Sequence, residues 1–223
     1  ALLMERKIPK TAVVLLSGGL DSATVLYFAQ AQGYKCLALI FDYGQRHKQE
    51  VAGAVKIAKA SGSAYRVLKI NLPWKGSALL DEKIKVPQKI ISGIPVTYVP
   101  ARNIIFLSFA LSLAEVNKAR AIFIGAHAQD YSGYPDCRPE FFKAFIKMAK
   151  VGIATKQKIQ ILTPLLNKSK AQIINLGNKL GVPFNLTWSC YCAGKRPCGK
   201  CDSCHYRAKG FKEAGLADPL VAR

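Results

Sequence analysis

The sequence is poor in acidic residues, which makes the chain strongly basic. Asp and Glu total 13 against 33 Lys and Arg, so the formal net charge is +20. Such a surplus predicts attraction to polyanions such as nucleotides, nucleic acids or acidic lipids. The lysines are scattered along the whole chain and form no dense basic tail. A generally cationic surface and a dedicated RNA-binding face are therefore both compatible with the sequence.

Long apolar runs are also missing. The longest dense apolar stretch, residues 104–114, contains two serines, whereas a transmembrane helix needs about 20 mostly apolar residues. The opening ALLMERKIPK lacks the h-region and cleavage site of a signal peptide. These absences predict a cytoplasmic protein that has no membrane partner.

Buried strands alternate with helices along most of the chain, and neither low-complexity segments nor internal repeats occur. Runs of apolar, β-branched residues predict strands at 11–17, 36–43, 64–72, 120–126 and 158–166. Helical spacing of apolar residues predicts helices at 20–32, 49–62, 103–119, 139–150 and 169–181. This order is typical of an α/β fold, a parallel sheet with helices on both faces. We expect that domain to span residues 1–181 and a Cys-rich, turn-rich segment to span 182–223.

A glycine-rich turn joins the first predicted strand to the first helix. Consecutive glycines allow a tight bend and close approach to a ligand, and the free amides at a helix start attract anions. The spacing matches neither G-x-x-x-x-G-K-[ST] nor G-x-G-x-x-G. An ordinary strand-to-helix turn with a first-turn acid is the alternative. We predict that the turn binds nucleotide phosphates through Leu16, Ser17, Gly18, Gly19, Leu20, Asp21 and Ser22. Of these, Ser17, Asp21 and Ser22 are the candidate catalytic residues.

The segment SGGLDS resembles the PP-loop of the ATP pyrophosphatase superfamily. Members of that superfamily grip the pyrophosphate of ATP at this loop and activate a substrate oxygen as an adenylate. The resemblance therefore implies ATP as a substrate and Mg²⁺ as its companion ion. Mg²⁺ and loop amides would stabilise the departing pyrophosphate.

Four further segments point to one family within this superfamily: FDYGQRHKQE, YVPARNIIFLSFALSLAE, DYSGYPDCRPEF and TWSCYCAGKRPCGKCDSC. Together with SGGLDS, they are similar to the 7-cyano-7-deazaguanine synthase family over residues 11–212. The resemblance implies ATP-dependent conversion of 7-carboxy-7-deazaguanine and ammonia to the nitrile, in queuosine or archaeosine biosynthesis. The implied route is adenylation of the carboxylate, amide formation and dehydration, which makes the enzyme a C–N-forming ligase. Homodimers are common in this family, and no nucleic-acid partner is required.

Polar side chains cluster after two of the predicted strands and at the start of the predicted helix at 103–119. We predict substrate contacts from Arg102, Asn103, Asp130, Ser132, Gly133, Tyr134, Asp136 and Arg138, and further ATP or substrate contacts from Tyr43, Gln45 and Arg46. An Asp could bind the N–H edge of a guanine analogue, and an Arg could pair with its carboxylate. The alternatives are a turn that leads into Pro139, an N-cap at Asn103 and a solvated loop at residues 43–46. Neither His47 nor His127 is assigned a catalytic role, and His127 is expected to be a structural hydrogen-bonding residue.

Five of the seven cysteines lie within residues 190–204. Cys198, Cys201 and Cys204 are spaced as two overlapping Cys-x₂-Cys pairs, and Cys190 precedes them. Four thiolates in this pattern suit a closed, structural Zn²⁺ site, although an iron–sulfur cluster or a redox pair shares the spacing. The family resemblance implies zinc at Cys190, Cys198, Cys201 and Cys204. Cys192 is then a spare thiol.

Two other functions are compatible with these patterns. A PP-loop enzyme that modifies tRNA, by thiolation or lysidine-type ligation, would suit the charge of +20. A non-catalytic nucleotide-binding module held together by zinc would use the same loop and the same cysteines.

Overall fold

The computed structural model describes residues 10–46, 48–81, 83–87, 93–127, 134–192, 194 and 196–221. Its centre is a sheet of five parallel strands in the order β3-β2-β1-β4-β5. The strands are β1 (Lys10–Leu15), β2 (Tyr34–Asp42), β3 (Ala64–Lys69), β4 (Ala121–Phe123) and β5 (Gln160–Leu162). All five predicted strands are therefore confirmed, β2 with slightly longer bounds and the other four with shorter ones.

Six α-helices are described, and two short 3₁₀ turns lie at Pro135–Cys137 and Phe184–Leu186. The helices are α1 (Leu20–Ala31), α2 (Lys48–Ala60), α3 (Arg102–Val116), α4 (Pro139–Gly152), α5 (Lys170–Lys179) and α6 (Asp202–Glu213). The first five are the predicted helices. Within the described residues, no helix combines the length and the apolar character needed to cross a bilayer.

The helices cover both faces of the sheet, as the alternation of elements predicts. Successive side chains of a strand point to opposite faces, and β1 divides its residues accordingly. Ala12 and Val14 pack with α1, α2, α5 and α6 in one apolar cluster. Val13 and Leu15 pack with α3 and α4 in the other. The four side chains are buried, and β1 is therefore the central strand of the fold.

The strand order sets the position of a crevice. From β1 the chain passes to β2 on one side, and it later returns to β4 on the other side of β1. Ligands of open α/β sheets bind at such a switch point, beyond the carboxyl ends of the strands. The loop at residues 16–19 follows β1 at this point.

The C-terminal segment contains helix α6, which was not predicted. Its sequence, DSCHYRAKGFKE, carries few apolar residues, so no amphipathic pattern predicts a helix there. Phe211 of α6 nevertheless packs edge-to-face on Phe184 in the first apolar cluster. The buried Arg207 guanidinium donates to both carboxylate oxygens of Asp218, at 2.7 and 2.9 Å, and to Thr187 Oγ1 at 2.7 Å. The polar contacts join α6 to the rest of the C-terminal segment, and Phe211 places the helix in the apolar cluster of the sheet domain. The boundary at residue 181 stays a prediction.

Close helix packing makes Gly177 a sensitive position. A Cβ added there would lie 2.5 Å from the Phe184 ring and 2.7 Å from Thr24 Oγ1. We expect Gly177→Ala to lower the free energy of unfolding by about 1–3 kcal/mol, because overpacking forces neighbours to move. Gly152→Ala in α4 is the control, since its Cβ would meet only Met148 Sδ at 3.6 Å. It should change stability by less than about 1 kcal/mol. Urea denaturation measures both, and equal losses would contradict the packing argument.

Candidate functional site

One cavity of about 260 Å³ opens at the carboxyl edge of the sheet. The ends of β1, β2 and β4 and the first turns of α1, α3, α5 and α6 contribute to its wall. Most of the predicted nucleotide loop and part of the predicted substrate set therefore share one space.

The serines shape the loop after β1. The Ser22 hydroxyl accepts the Ser17 N–H at 3.1 Å and donates to the Gly19 carbonyl at 3.1 Å. The hydroxyl oxygens of Ser17 and Ser22 lie 3.0 Å apart. No side chain caps α1, whose N-cap is Gly19. The first amides of α1 are consequently available to an anion, with the helix dipole in its favour.

The two glycines of the loop have different roles. Gly18 has φ +90°, and a Cβ there would overlap the Glu50 carbonyl oxygen. Its own carbonyl accepts the Trp188 N–H at 2.9 Å, so this residue joins the loop to α2 and to the C-terminal segment. Gly18 is not among the described residues that line the cavity, whereas Leu16, Ser17, Gly19, Leu20, Asp21 and Ser22 are. The close approach to a ligand expected of both glycines therefore falls to Gly19.

A charged cluster lies beside the loop. Lys170 Nζ donates to both carboxylate oxygens of Asp21, at 3.0 and 2.9 Å. It also lies 2.8 Å from Nε2 of the buried His127. A lysine ammonium only donates, so Nε2 accepts and the ring proton is on Nδ1. His127 is thus a hydrogen-bonding residue as predicted, but it belongs to the cavity wall.

A second polar group lies on the wall formed by β2, α2 and α3. Arg102 Nη1 donates to the Tyr43 hydroxyl at 3.1 Å. Glu50, in the first turn of α2, also lines the cavity. Burial raises the pKa of Glu50 to about 7, and the positive charge of Arg102 opposes this shift only in part. Burial likewise raises the pKa of Tyr43. This wall holds a fixed positive charge beside a carboxyl group that is able to exchange protons near neutrality.

The predicted substrate loop is only partly in the cavity. Tyr134 lines it and pairs its hydroxyl with Thr97 Oγ1 at 3.1 Å. Its ring stacks on Tyr98 with centroids 5.6 Å apart. Asp130, Ser132, Gly133 and His47 lie outside the described residues.

Asp136 and Asn103 hold α3 in place. The buried Asp136 accepts the Asn103 N–H at 2.9 Å, and the Asn103 side chain donates to the Asp136 carbonyl at 3.0 Å. Because α3 begins at Arg102, its N-cap is Ala101 and the N-cap expected at Asn103 is wrong. The Asp136 side chain in effect supplies the cap from another loop. Asn103 still lines the cavity, but Asp136 is not among the described residues that do.

Three further predicted residues lie around the edge of the site. Gln45 lines the cavity and braces the turn after β2, accepting the Tyr43 N–H at 2.8 Å and donating to the Phe41 carbonyl at 3.1 Å. Arg46 donates through Nη1 to the Ile84 carbonyl at 3.4 Å. Arg138 precedes α4 as its N-cap residue. Neither arginine belongs to the described cavity lining.

The five clustered thiols converge at the start of α6. Ligand atoms of Cys190, Cys192, Cys198 and Cys201 all lie within 4.8 Å of one another. The Cys204 Sγ lies 3.9 Å from the Cys198 Sγ and also contacts Cys190 and Cys201. Backbone amides donate to the sulfurs, for example from Cys198 to Cys190 Sγ at 3.3 Å and from Cys201 to Cys198 Sγ at 3.3 Å. Converging sulfurs that accept amide hydrogen bonds fit a metal bound by thiolates.

Known proteins resemble this chain along nearly its whole length. The family model described as "QueC: Queuosine biosynthesis protein QueC" matches residues 11–215. The chain belongs to this family. The 7-cyano-7-deazaguanine synthase of Pseudomonas fluorescens (strain SBW25) is 57% identical over 94% of this chain and 97% of the relative. That of Nostoc punctiforme is 52% identical over 94% and 98%. A chain this similar to synthases along nearly its whole length is itself an enzyme.

Solved structures confirm the fold of this QueC family member. The U34-tRNA thiolase NcsA from Methanococcus maripaludis has a TM-score of 0.52 and 16% identity, over 93% of this chain and 68% of that chain. NMN synthetase from Francisella tularensis has a TM-score of 0.52 and 19% identity, over 96% and 81%. At these identities the likeness supports the PP-loop type of α/β fold alone.

Sequence reasoning missed several residues of the site. Lys170 is the first residue of α5, after β5, where Ser169 and Gln172 form a capping box. The rule that places ligands beyond strand ends would have found it. Glu50 ends the segment FDYGQRHKQE, in which no local signal indicates its role. The others come from the C-terminal segment, namely Trp188, Tyr191, Asp202, Ser203, Tyr206 and Arg207.

The raised pKa of Glu50 makes a prediction about stability. The folded-state pKa of about 7 lies above the usual 4.5, so the folded protein binds this proton more tightly than the unfolded chain does. Stability is then fully retained below pH 4.5 and falls as the pH rises to 7. Glu50→Gln should therefore stabilise the unliganded protein at pH 8, with a gain that shrinks at pH 5.

Urea midpoints of Glu50→Gln and wild type at the two pH values test this. Glu213→Gln, on an exposed position of α6, serves as the control for loss of a carboxylate. A Glu50→Gln protein less stable than wild type at pH 8 would refute the assignment.

Proposed function

We propose that this enzyme converts 7-carboxy-7-deazaguanine and ammonia to 7-cyano-7-deazaguanine, as a ligase driven by ATP. The relatives that match nearly its whole length carry the name of that synthase. The observation that carries the proposal is the shared cavity, in which the SGGLDS loop and Arg102 line one space. One end suits a polyphosphate and the other suits a substrate carboxylate.

The first step joins the substrate to AMP. A carboxylate oxygen attacks the α-phosphorus of ATP, and the bond to the β-phosphate oxygen breaks to release pyrophosphate. The amides of the first turn of α1 and Lys170 are positioned to stabilise the negative charge that develops. Asp21 is the carboxylate of the loop that would help the phosphates to hold Mg²⁺ by exchanging its contact with Lys170, and the ion would neutralise the leaving pyrophosphate.

The second stage replaces oxygen with nitrogen. Ammonia attacks the acyl carbon, AMP leaves and the nitrogen loses a proton, which gives the primary amide. The amide oxygen then attacks the α-phosphorus of a second ATP and pyrophosphate leaves, after which loss of AMP and of both protons on the nitrogen gives the nitrile. Glu50 is suited to accept these protons because its pKa of about 7 lies near the working pH.

Product analysis tests the reaction. Incubation with ATP, ammonium and 7-carboxy-7-deazaguanine should yield the nitrile, AMP and pyrophosphate, identified by mass spectrometry of a quenched sample. Lys170→Met should lower kcat/KM for ATP by about 10²-fold or more, because a donor to the developing charge is lost. Lys179→Met, at the exposed far end of the same helix, should leave it unchanged.

Other outcomes of that experiment would decide against the proposal. ADP as the sole nucleotide product would refute adenylation. Intact ATP in a folded, metal-loaded sample would favour a non-catalytic nucleotide-binding module. Salt-sensitive binding of tRNA without turnover of the deazapurine would favour a tRNA-modifying enzyme, which the net charge of +20 would suit.

The thiol cluster is proposed to hold a structural Zn²⁺ through Cys190, Cys198, Cys201 and Cys204. The Cys204 thiol contacts each of the other three, and it is buried as Cys190 and Cys201 are. Cys192 is less buried, although it lies within the same 4.8 Å group. Four protein thiolates leave no open position, so this metal would stabilise the fold and take no part in the chemistry.

Metal analysis of two single variants tests the ligand set. Cys204→Ser should lose most of its zinc and lower the melting temperature, because a ligand is removed. Cys192→Ser should keep about one zinc per chain. A strong chelator should destabilise wild type and Cys192→Ser alike. If Cys204→Ser kept its zinc and Cys192→Ser lost it, Cys192 would be the fourth ligand and Cys204 the spare thiol.

A homodimer and a cytoplasmic location stay predictions. On helix α3 the apolar side chains of Ile104, Phe109 and Val116 are 44%, 41% and 79% exposed. Such side chains would supply apolar surface for contact with a second copy of the chain.

A further inference from the structure

One carboxylate oxygen in the described cavity wall lacks a hydrogen-bond partner. Asp202 Oδ1 is buried and has no hydrogen-bond partner in the described part of the chain. Buried polar atoms of folded proteins are almost always paired, and an unpaired acceptor costs free energy. An unsatisfied oxygen beside an open cavity therefore indicates a donor that arrives with a ligand.

Asp202 lies where two spaces meet. It lines the main cavity and also a smaller one of about 40 Å³. Pro95, Thr97 and Tyr191 line both spaces as well. The remaining wall of the smaller space is apolar, formed by Val86, Pro87, Ile94 and Val96. A flat, largely apolar ring that carries N–H groups on one edge would suit this surrounding.

The fold holds Asp202 firmly. It is the first residue of α6, directly after the buried Cys201 and two residues before the buried Cys204. The same helix is anchored through Arg207, which binds Asp218 and Thr187. A carboxylate fixed in this way can select a ligand by geometry, because it has little freedom to adapt.

The other acidic groups of the described wall are already engaged. Asp21 binds Lys170 through both oxygens. Glu50 lies in the field of Arg102. Asp136 is not among the described residues of the wall, and its carboxylate accepts the Asn103 N–H at the start of α3. Among the acidic residues of the described cavity wall, Asp202 is the one with a buried oxygen that lacks a hydrogen-bond partner.

The reactants of the proposed function differ in what they offer this oxygen. The phosphates of ATP carry negative charge and would be repelled. Ammonium is small and would not use the apolar walls. The pyrimidine edge of 7-carboxy-7-deazaguanine presents two adjacent donors, the ring N1–H and the 2-amino group, which match a carboxylate as a guanidinium does. Its own carboxylate lies on the other ring of the molecule, free to reach a cation.

We propose that Asp202 recognises the N1–H and 2-amino edge of the deazaguanine substrate and thereby determines the enzyme's base specificity. The inference rests on the proposed function and adds the residue that selects this substrate. It also gives the cysteine-rich segment a direct part in substrate binding, because that segment carries the recognising group.

Substrate analogues and matched variants test the assignment. Wild type should prefer 7-carboxy-7-deazaguanine over the analogue that lacks the 2-amino group by about 10- to 100-fold in kcat/KM, since a buried acceptor would be left unpaired. Asp202→Asn should lower kcat/KM for the natural base by a similar factor, about 10- to 100-fold, and lose most of the preference. KM for ATP and for ammonium should stay within about twofold. Glu213→Gln, on the same helix and exposed, should behave as wild type.

Controls keep the test decisive. Metal content and melting temperature show whether Asp202→Asn is folded. If it is not, Asp202→Ser replaces it, since serine is also suited to a helix start.

The proposal is overturned if wild type does not discriminate between the two bases, if the variants still do, or if KM changes for ammonium or ATP instead. Calorimetry separates this failure from failure of the proposed function. A wild type that binds the deazaguanine without turnover, and more tightly than Asp202→Asn, would refute the reaction but support the recognition.

Discussion

Parallel pairing of β1 on both of its edges determines where every functional side chain of this protein lies. Since β2 and β4 run in the same direction as β1, all three strands end at one edge of the sheet. The loop after β1 and the starts of several helices meet there, so residues far apart in the sequence line one cavity. Burial of β1 between two apolar clusters keeps this edge fixed. The site therefore depends on the sheet before it depends on any single polar contact.

Charge is distributed unevenly around this edge. A cationic chain attracts anionic ligands over its whole surface, yet within the cavity each cation has a local partner. Lys170 binds Asp21, and Arg102 binds the Tyr43 hydroxyl. Such pairs hold long side chains in place at little cost in side-chain entropy when an anion arrives. The overall positive charge then favours encounter with an anionic ligand, and the paired residues of the cavity hold that ligand in position.

Much of the fold and part of the site could be predicted from the sequence. Buried strands and helices with regularly spaced apolar residues follow local rules, and SGGLDS is a contiguous motif, so the sheet, five helices and the loop could be predicted. Helix α6 was missed because its stability comes from Phe211, Arg207 and the thiols, and not from its own pattern. The contact between Asp136 and Asn103 could not be predicted either. The two residues lie 33 positions apart, and such a pairing leaves no trace in local sequence.

The hydrogen bond between the Gly18 carbonyl and the Trp188 amide connects the beginning of the sheet to the C-terminal segment. During translation, β1 and its loop leave the ribosome long before Trp188 and Asp202 are synthesised. A nascent chain thus carries the loop after β1 without the cavity wall that the C-terminal segment supplies, and the complete cavity forms only when the last helix docks.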